Sequence, residues 1–248
     1  MNATSTVLSV RALRKSFTLH TIDGRVVHSL HGVDLDVRAG EHVALAGPSG
    51  AGKSSLLRCV NRTYLPDSGS VVLHSAAGER IELTSQPDRA VARIRGREFG
   101  YVSQFLNAPP RTGPLDVVAA TARRRGLDRA AARDAAVEAL RRLNLDEALW
   151  DVDCSVLSGG ERQRVNVAAG TVSPPRLLLL DEPVSALDPA NREAALDVIS
   201  TLTAQGVAVL AVFHDLDAMR RLASRVVLMR DGRIVGDGSP DEMLEGAA

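Results

Sequence analysis

Residues 41–62 read EHVALAGPSGAGKSSLLRCVNR, and the pattern changes twice inside that stretch. Glu41 to Ala46 is a short apolar run of the kind that forms a buried strand, whereas Lys53 to Arg62 carries Leu56, Leu57 and Val60 at helical spacing. Between them Gly47-Pro48-Ser49-Gly50-Ala51-Gly52-Lys53-Ser54 matches G-x-x-x-x-G-K-[ST], in the strand-to-helix context that pattern requires. Glycines let successive N–H groups point into one concavity, and the helix N-terminus adds partial positive charge. Lys53 is then expected to bridge terminal phosphates, Ser54 to reach a magnesium ion, and Ser55 to belong with the ATP-binding residues of the loop. The chain has only two lysines, Lys15 and Lys53, so a lysine at this position is not incidental.

Further along, Arg176 to Pro183 (RLLLLDEP) carries Asp181 and Glu182 to the end of a second apolar run. Neighbouring side chains at a strand end point in different directions. Asp181 is thereby expected to hold magnesium, and Glu182 to orient and deprotonate a water attacking a γ-phosphate.

The rest of the chain sorts around these two stretches. Val7 to Leu13 and Val26 to Val37 alternate apolar and polar residues about the turn-like Asp23-Gly24, which predicts an antiparallel β portion over about 5–40. From Pro114 to about Val156 the pattern is helical, with Val137, Leu140 and Leu143 on one stripe. Strand-like runs return at Leu177–Leu180, Val207–Val212 and Val226–Met229, separated by helical stretches beginning near Asn191 and Asp215. Such alternation predicts an α/β domain with a mostly parallel sheet. Its core is expected over about 41–113 and 171–248, with an inserted helical subdomain over about 114–170.

Composition narrows the partners. The 248 residues are 45% hydrophobic and 24% charged, enough for a full core and unlike a disordered or disulfide-stapled chain. Thirty basic residues balance thirty acidic ones, which removes the excess positive field that draws proteins onto nucleic acid. The longest apolar runs are far short of the ~20 residues a membrane helix needs. The N-terminus lacks a secretion pattern, so a cytoplasmic location is expected. Cys59 and Cys154 form no C-x-x-C, and both are expected to be inert thiols. The run Arg123-Arg124-Arg125 is expected on a solvated helix face.

Leu157 to Arg164, LSGGERQR, places Ser158, Gly159 and Gly160 directly before a helical stretch, a second anion-binding helix N-terminus that one phosphate loop does not need. With this element the sequence resembles the ATP-binding cassette ATPases, whose signature appears here as LSGGE-x-Q-R. The resemblance implies a phosphate-loop ATPase core of that type, ATP and magnesium as its ligands, and further site residues. Gln104, in Tyr101-Val102-Ser103-Gln104, would contact magnesium and the attacking water, and the residues after it would meet a partner protein. Ser185 and Asp188, in Ser185-Ala186-Leu187-Asp188, would cross a dimer interface. His214 would contact the γ-phosphate, and Phe17 would lie under the adenine. The resemblance also implies a head-to-tail dimer, with itself or a related cassette subunit, closed by ATP held between phosphate loop and signature.

Segments outside those motifs resemble the L component of the bacterial phosphonate carbon–phosphorus lyase system: Lys15 to His20, Tyr64 to Asp67, Ser103 to Leu106 with Pro110-Arg111, Leu149-Trp150, and Phe213-His214. Asp215 stands where that component is expected to carry a second histidine. This resemblance implies soluble lyase-complex subunits as partners, in the pathway that attaches methylphosphonate to ribose triphosphate and then cleaves the carbon–phosphorus bond. The alternative is the ATPase subunit of an exporter of lipoprotein-release or macrolide type, docked on a membrane permease.

Overall fold

The computed structural model describes residues 5–19, 24–213 and 215–245. Two long strands, β1 (Thr6–Leu19) and β2 (Arg25–Arg38), pair antiparallel, and β1 also pairs with β4 (Ser68–His74), which pairs with β5 (Arg80–Glu82). This first sheet has the order β2-β1-β4-β5. A second sheet runs β10-β9-β3-β8-β7-β6, built from β3 (His42–Ala46), β6 (Phe99–Val102), β7 (Leu177–Asp181), β8 (Ala208–Val212), β9 (Arg225–Arg230) and β10 (Arg233–Gly238). All of its neighbours are parallel except β10 on β9.

Strands β3, β7 and β8 are buried at every residue. That follows from sequences such as HVALA, LLLLD and AVLAV, which offer apolar side chains to both faces, as a covered parallel sheet demands. Alternation then divides two cores. Val43, Leu45, Leu177, Leu179, Leu210 and Val212 meet the first sheet and helix α1 (Lys53–Val60), where Leu56, Leu57 and Val60 are fully buried. Ala44, Ala46, Leu178, Leu180, Val209 and Ala211 face a layer of helices that includes α5 (Gly159–Thr171) and α6 (Pro189–Ala204).

The stretch read as helical from 114 to 156 resolves into α3 (Pro114–Arg124), α4 (Arg129–Arg142) and two short 3-10 turns at Glu147–Leu149 and Cys154–Val156. Asn144 at φ 54° ends the helical run after α4. Helix α2 (Asp88–Glu98) and strands β4, β5 and β10 went unanticipated: α2 buries only Val91, β5 and β10 bury no residue, and β4 opens on exposed Ser68 and Gly69. Helices α7 (Leu216–Leu222) and α8 (Pro240–Leu244) close the described chain. Among the described residues no helix is long and apolar enough to cross a membrane.

The arginine run departs from expectation at one residue. Arg123 and Arg124 are exposed, but Arg125 turns inward and donates to the carbonyls of Phe99 at 2.9 Å, Gly170 at 3.0 Å and Ser173. One guanidinium thus pins the end of α3 to β6 and to the end of α5, and burial lowers its pKa to about 10. Both cysteines are free and buried, and burial pushes the Cys59 thiol up to about 11.

His42, at the start of β3, is fully buried with neither ring nitrogen hydrogen-bonded, and its ring lies 5.9 Å from that of Phe213. Burial drops its pKa from 6.5 to about 3, so protonation favours the unfolded chain. The stability held by neutral His42 is complete above about pH 6.5 and falls as the pH drops toward 3. We expect wild type to lose about 2 kcal/mol more than His42→Leu between pH 7 and pH 5 in urea denaturation. Equal losses in the two proteins would show that His42 is not buried neutral.

Candidate functional site

Parallel pairing places the carboxyl ends of β3, β8, β7 and β6 along one edge, where open α/β sheets present their ligand crevices. The sequence candidates follow those ends in turn: the glycine loop after β3, Gln104 after β6, Glu182 after β7 and His214 after β8. His214 itself lies outside the described residues.

Gly47 has φ 133°, Gly50 80° and Gly52 98°. A β-carbon at Gly47 would come 2.1 Å from the Met229 carbonyl oxygen, and one at Gly52 would come 2.5 Å from that of Ser29. Both flanks of the loop are therefore fixed by close backbone contact. At Gly50 a β-carbon would meet nothing within 4 Å, so the middle of the loop is open. Ser29 and the residues Ser49, Gly50, Ala51, Gly52, Lys53, Ser54 and Ser55 line a cavity of about 250 Å³, and Ser29 Oγ donates to Ser55 Oγ at 2.8 Å. Ser29 escaped sequence reading because one serine in an alternating strand carries no signal.

Lys53 is 6% exposed. Its Nζ donates to the carbonyls of Gly47 at 2.7 Å and Pro48 at 3.0 Å. Burial lowers the ammonium pKa, and the charge of nearby Glu182 raises it in part. Ser54 Oγ donates to Asp181 Oδ1 at 3.2 Å, across the gap between α1 and the end of β7. A hydroxyl and a buried carboxylate are hard oxygen donors of the kind magnesium takes, one or two at a time, alongside waters and substrate phosphates. The donor set fits that ion.

Glu182 has φ 56°, a left-handed conformation that costs a non-glycine residue about 1 kcal/mol or more. Its N–H donates to the Val212 carbonyl at 3.0 Å, tying the residue to the end of β8, and its own carbonyl accepts from Ser185 Oγ at 3.2 Å. Glu182 and Ser185 line a 210 Å³ cavity with Arg192, Phe213 and Asp215, and Arg192 pairs with Asp215 at 2.6 Å. Asp188 caps α6, accepting from Asn191 N at 3.2 Å and Nδ2 at 2.6 Å, and these bonds hold its carboxyl below the ordinary range.

The remaining candidates stand apart from the loop. Ser158 caps α5 through a reciprocal pair with Glu161: Ser158 N–H donates to Glu161 Oε2 at 2.7 Å, and Glu161 N–H to Ser158 Oγ at 3.3 Å. A β-carbon at Gly160 would lie 3.2 Å from the Ala186 carbonyl oxygen, while one at Gly159 would meet nothing. Gln104 is exposed, and with Gly159, Arg162, Gln163 and Ala186 it lines a 640 Å³ cavity that shares no residue with the loop cavity. Gln163 donates to the Pro183 carbonyl at 2.8 Å, joining the helix behind the signature to the chain just after Glu182. Phe17 is half-buried and meets Tyr64 edge-on at 5.1 Å, with Lys15 Nζ 5.2 Å from its centroid.

Comparison with known proteins supplies the family. The family model described as ABC transporter matches residues 30–185. The chain is 34% identical to the glutamine transport ATP-binding protein GlnQ of Escherichia coli, over 87% of each chain. It is 38% identical to the phosphonates import ATP-binding protein PhnC of Bordetella parapertussis, over 84% of each. Among solved structures, the dimeric post-hydrolysis state of the ATP-binding cassette MJ0796 bound to ADP and Pi superposes with a TM-score of 0.84, at 26% identity over 94% of this chain and 98% of that one. The chain belongs to the ABC transporter family and is an ATPase of the ATP-binding cassette type.

Proposed function

We propose that the chain hydrolyses ATP between two cassettes arranged head to tail, and that its turnover drives a partner of bacterial phosphonate catabolism. The observation that carries the hydrolytic half is Glu182, anchored in a left-handed turn by Val212 and close enough to Lys53 for its charge to offset part of the lowering that burial imposes on the ammonium pKa.

The triphosphate enters the loop cavity, where N–H groups of residues 49–55 receive its oxygens and Lys53 Nζ exchanges two carbonyl contacts for phosphate. Ser54 and Asp181, joined by Gln104, would hold magnesium, which would supply positive charge to balance that of the phosphates. Glu182 accepts the proton of the attacking water, and His214 contacts the γ-phosphate. Phe17 provides a ring face for the base. Ser158, Gly159 and Gly160 present the α5 N-terminus to the nucleotide of the opposing subunit, with Ser185 and Asp188 at the seam. Two observations support the paired arrangement. In one chain the loop and the signature line separate cavities, and the solved relative MJ0796 is described as dimeric with ADP and Pi.

The phosphonate reading rests on the resemblance to the L component, whose scattered segments come together in two places. Lys15, Ser16 and Phe17 pack on Tyr64 and Asp67, with Lys15 bonded to Asp67 at 3.2 Å and Ser16 N–H at 2.6 Å. Likewise the chain around Pro110-Arg111 abuts the Leu149-Trp150 turn, through Arg111 N–H to Asp153 at 2.9 Å and Leu115 N–H to the Trp150 carbonyl at 3.1 Å. Beside this second cluster Phe105 is 76% exposed at the mouth of the cavity holding Gln104, an apolar contact for a protein partner. A second reading, a membrane permease as partner, draws on the names of relatives such as GlnQ and PhnC, which are transport and import ATPases.

Glu182→Gln should retain ATP binding, accumulate as an ATP-dependent dimer in gel filtration, and lose about 10² or more in turnover. Normal turnover in that variant would remove Glu182 from the mechanism. Lys53→Ala, which deletes charge-assisted bonds, should weaken ATP binding by about tenfold or more in equilibrium titration. The partner is decided by affinity purification of tagged Glu182→Gln protein with ATP from cells grown on methylphosphonate. Soluble lyase subunits without a permease are the expected companions. A permease alone would replace the phosphonate reading with transport.

A further inference from the structure

Seven aromatic residues serve the whole chain, only two of them tyrosines, and both tyrosines lie against one guanidinium. Arg58, in the second turn of α1, donates through Nη1 to Tyr64 Oη at 2.9 Å, with its carbon Cζ 5.6 Å from the Tyr64 ring centroid. Its Nη2 lies 3.8 Å from Asp181 Oδ2, while the other oxygen of that carboxylate accepts from Ser54. Tyr101, on the strand that leads to Gln104, is the third neighbour; burial raises its phenol and Arg58 pulls it back. Tyr64 in turn meets Phe17 edge-on at 5.1 Å.

One side chain therefore touches the helix of the phosphate loop, the carboxylate at the end of β7, the strand before Gln104 and the ring that packs on Phe17. Asp181 is 5% exposed at its side chain, whereas Arg58 is 36% exposed, so the carboxylate is fixed and its partner reaches in from the edge. A planar guanidinium fork holds direction as well as charge, which a lysine ammonium does not. Partners of this kind orient metal-binding groups from behind.

We propose that Arg58 is a positioning residue for the magnesium site, turning the Asp181 carboxylate toward Ser54 and tying its orientation through Tyr64 to the wall that carries Phe17. The inference rests on the reading of Ser54 and Asp181 as the metal's protein ligands. It adds a residue to that reading that no motif of the chain contains.

The test separates metal affinity from turnover. In a Glu182→Gln background, expected to consume nucleotide only slowly, binding of a fluorescent ATP analogue is measured in EDTA and across a magnesium titration. Arg58→Met should raise the half-saturating magnesium concentration by about tenfold, with EDTA affinity unchanged within about twofold. Arg58→Lys should recover the charge but only part of the shift, and Tyr64→Phe should move it in the same direction by less. Thermal melting identifies a variant that fails to fold, in which case Arg58→Lys and Tyr64→Phe carry the test. An unchanged magnesium midpoint, or a midpoint that falls because only a competing cation was removed, would overturn the role. A parallel loss of affinity in EDTA would likewise reduce Arg58 to a structural residue of α1. Asp181→Asn is the benchmark. If it leaves the magnesium midpoint unmoved, the metal reading itself fails, and the role of Arg58 falls with it. If it moves the midpoint and Arg58→Met does not, only the role of Arg58 is refuted.

Discussion

The parallel hydrogen-bond ladder of β6, β7, β8 and β3 is the constraint on which the site depends. Because these strands run the same way in register, their last residues end at one edge, and loops distant in sequence become neighbours. Asp181 pairs with Val212, and the bond from Glu182 N–H to Val212 extends the ladder one residue beyond β7. The apolar residues of β3, β7 and β8 hold this ladder between two cores. At roughly 25 cal/mol for each Å² of apolar surface withdrawn from water, those cores fix the strand ends far more firmly than the polar contacts of the site could.

Polar side chains inside the cores act as joints. Gln163 reaches the Pro183 carbonyl, Asn166 reaches that of Ser103 at 2.6 Å, and Arg125 holds three carbonyls at the ends of β6 and α5. Each joins the helical layer to a segment leading to or from a candidate residue. A buried polar group left unbonded costs about 1–3 kcal/mol, so these joints resist sliding and favour discrete rearrangement. The helical layer is thus mechanically continuous with the loops after β6 and β7.

Much of this was legible in the sequence, and the reason is local. Gly47 to Ser54 and Leu177 to Glu182 each carry a local pattern that can be read without their partners, and apolar runs announced β3, β7 and β8. Where form depends on distant partners the sequence was mute. Arg125 looked like the third residue of a solvated basic run, and only the folded chain shows the carbonyls that draw it inward. Arg58 falls between motifs and Tyr64 entered only as part of a resembling segment; their joint role shows only through Asp181 and Phe17. The burial of His42 without a hydrogen-bond partner runs against its chemistry and could not be read from a strand pattern.

The contacts of Lys53 Nζ with two carbonyls of its own loop have a kinetic meaning. The ammonium rests on neutral carbonyl dipoles inside the loop, so the loop is braced around its own principal cation. An arriving anion trades places with these two weak acceptors. Exchanging neutral acceptors for a multiply charged guest costs little, so the lysine is placed for fast capture.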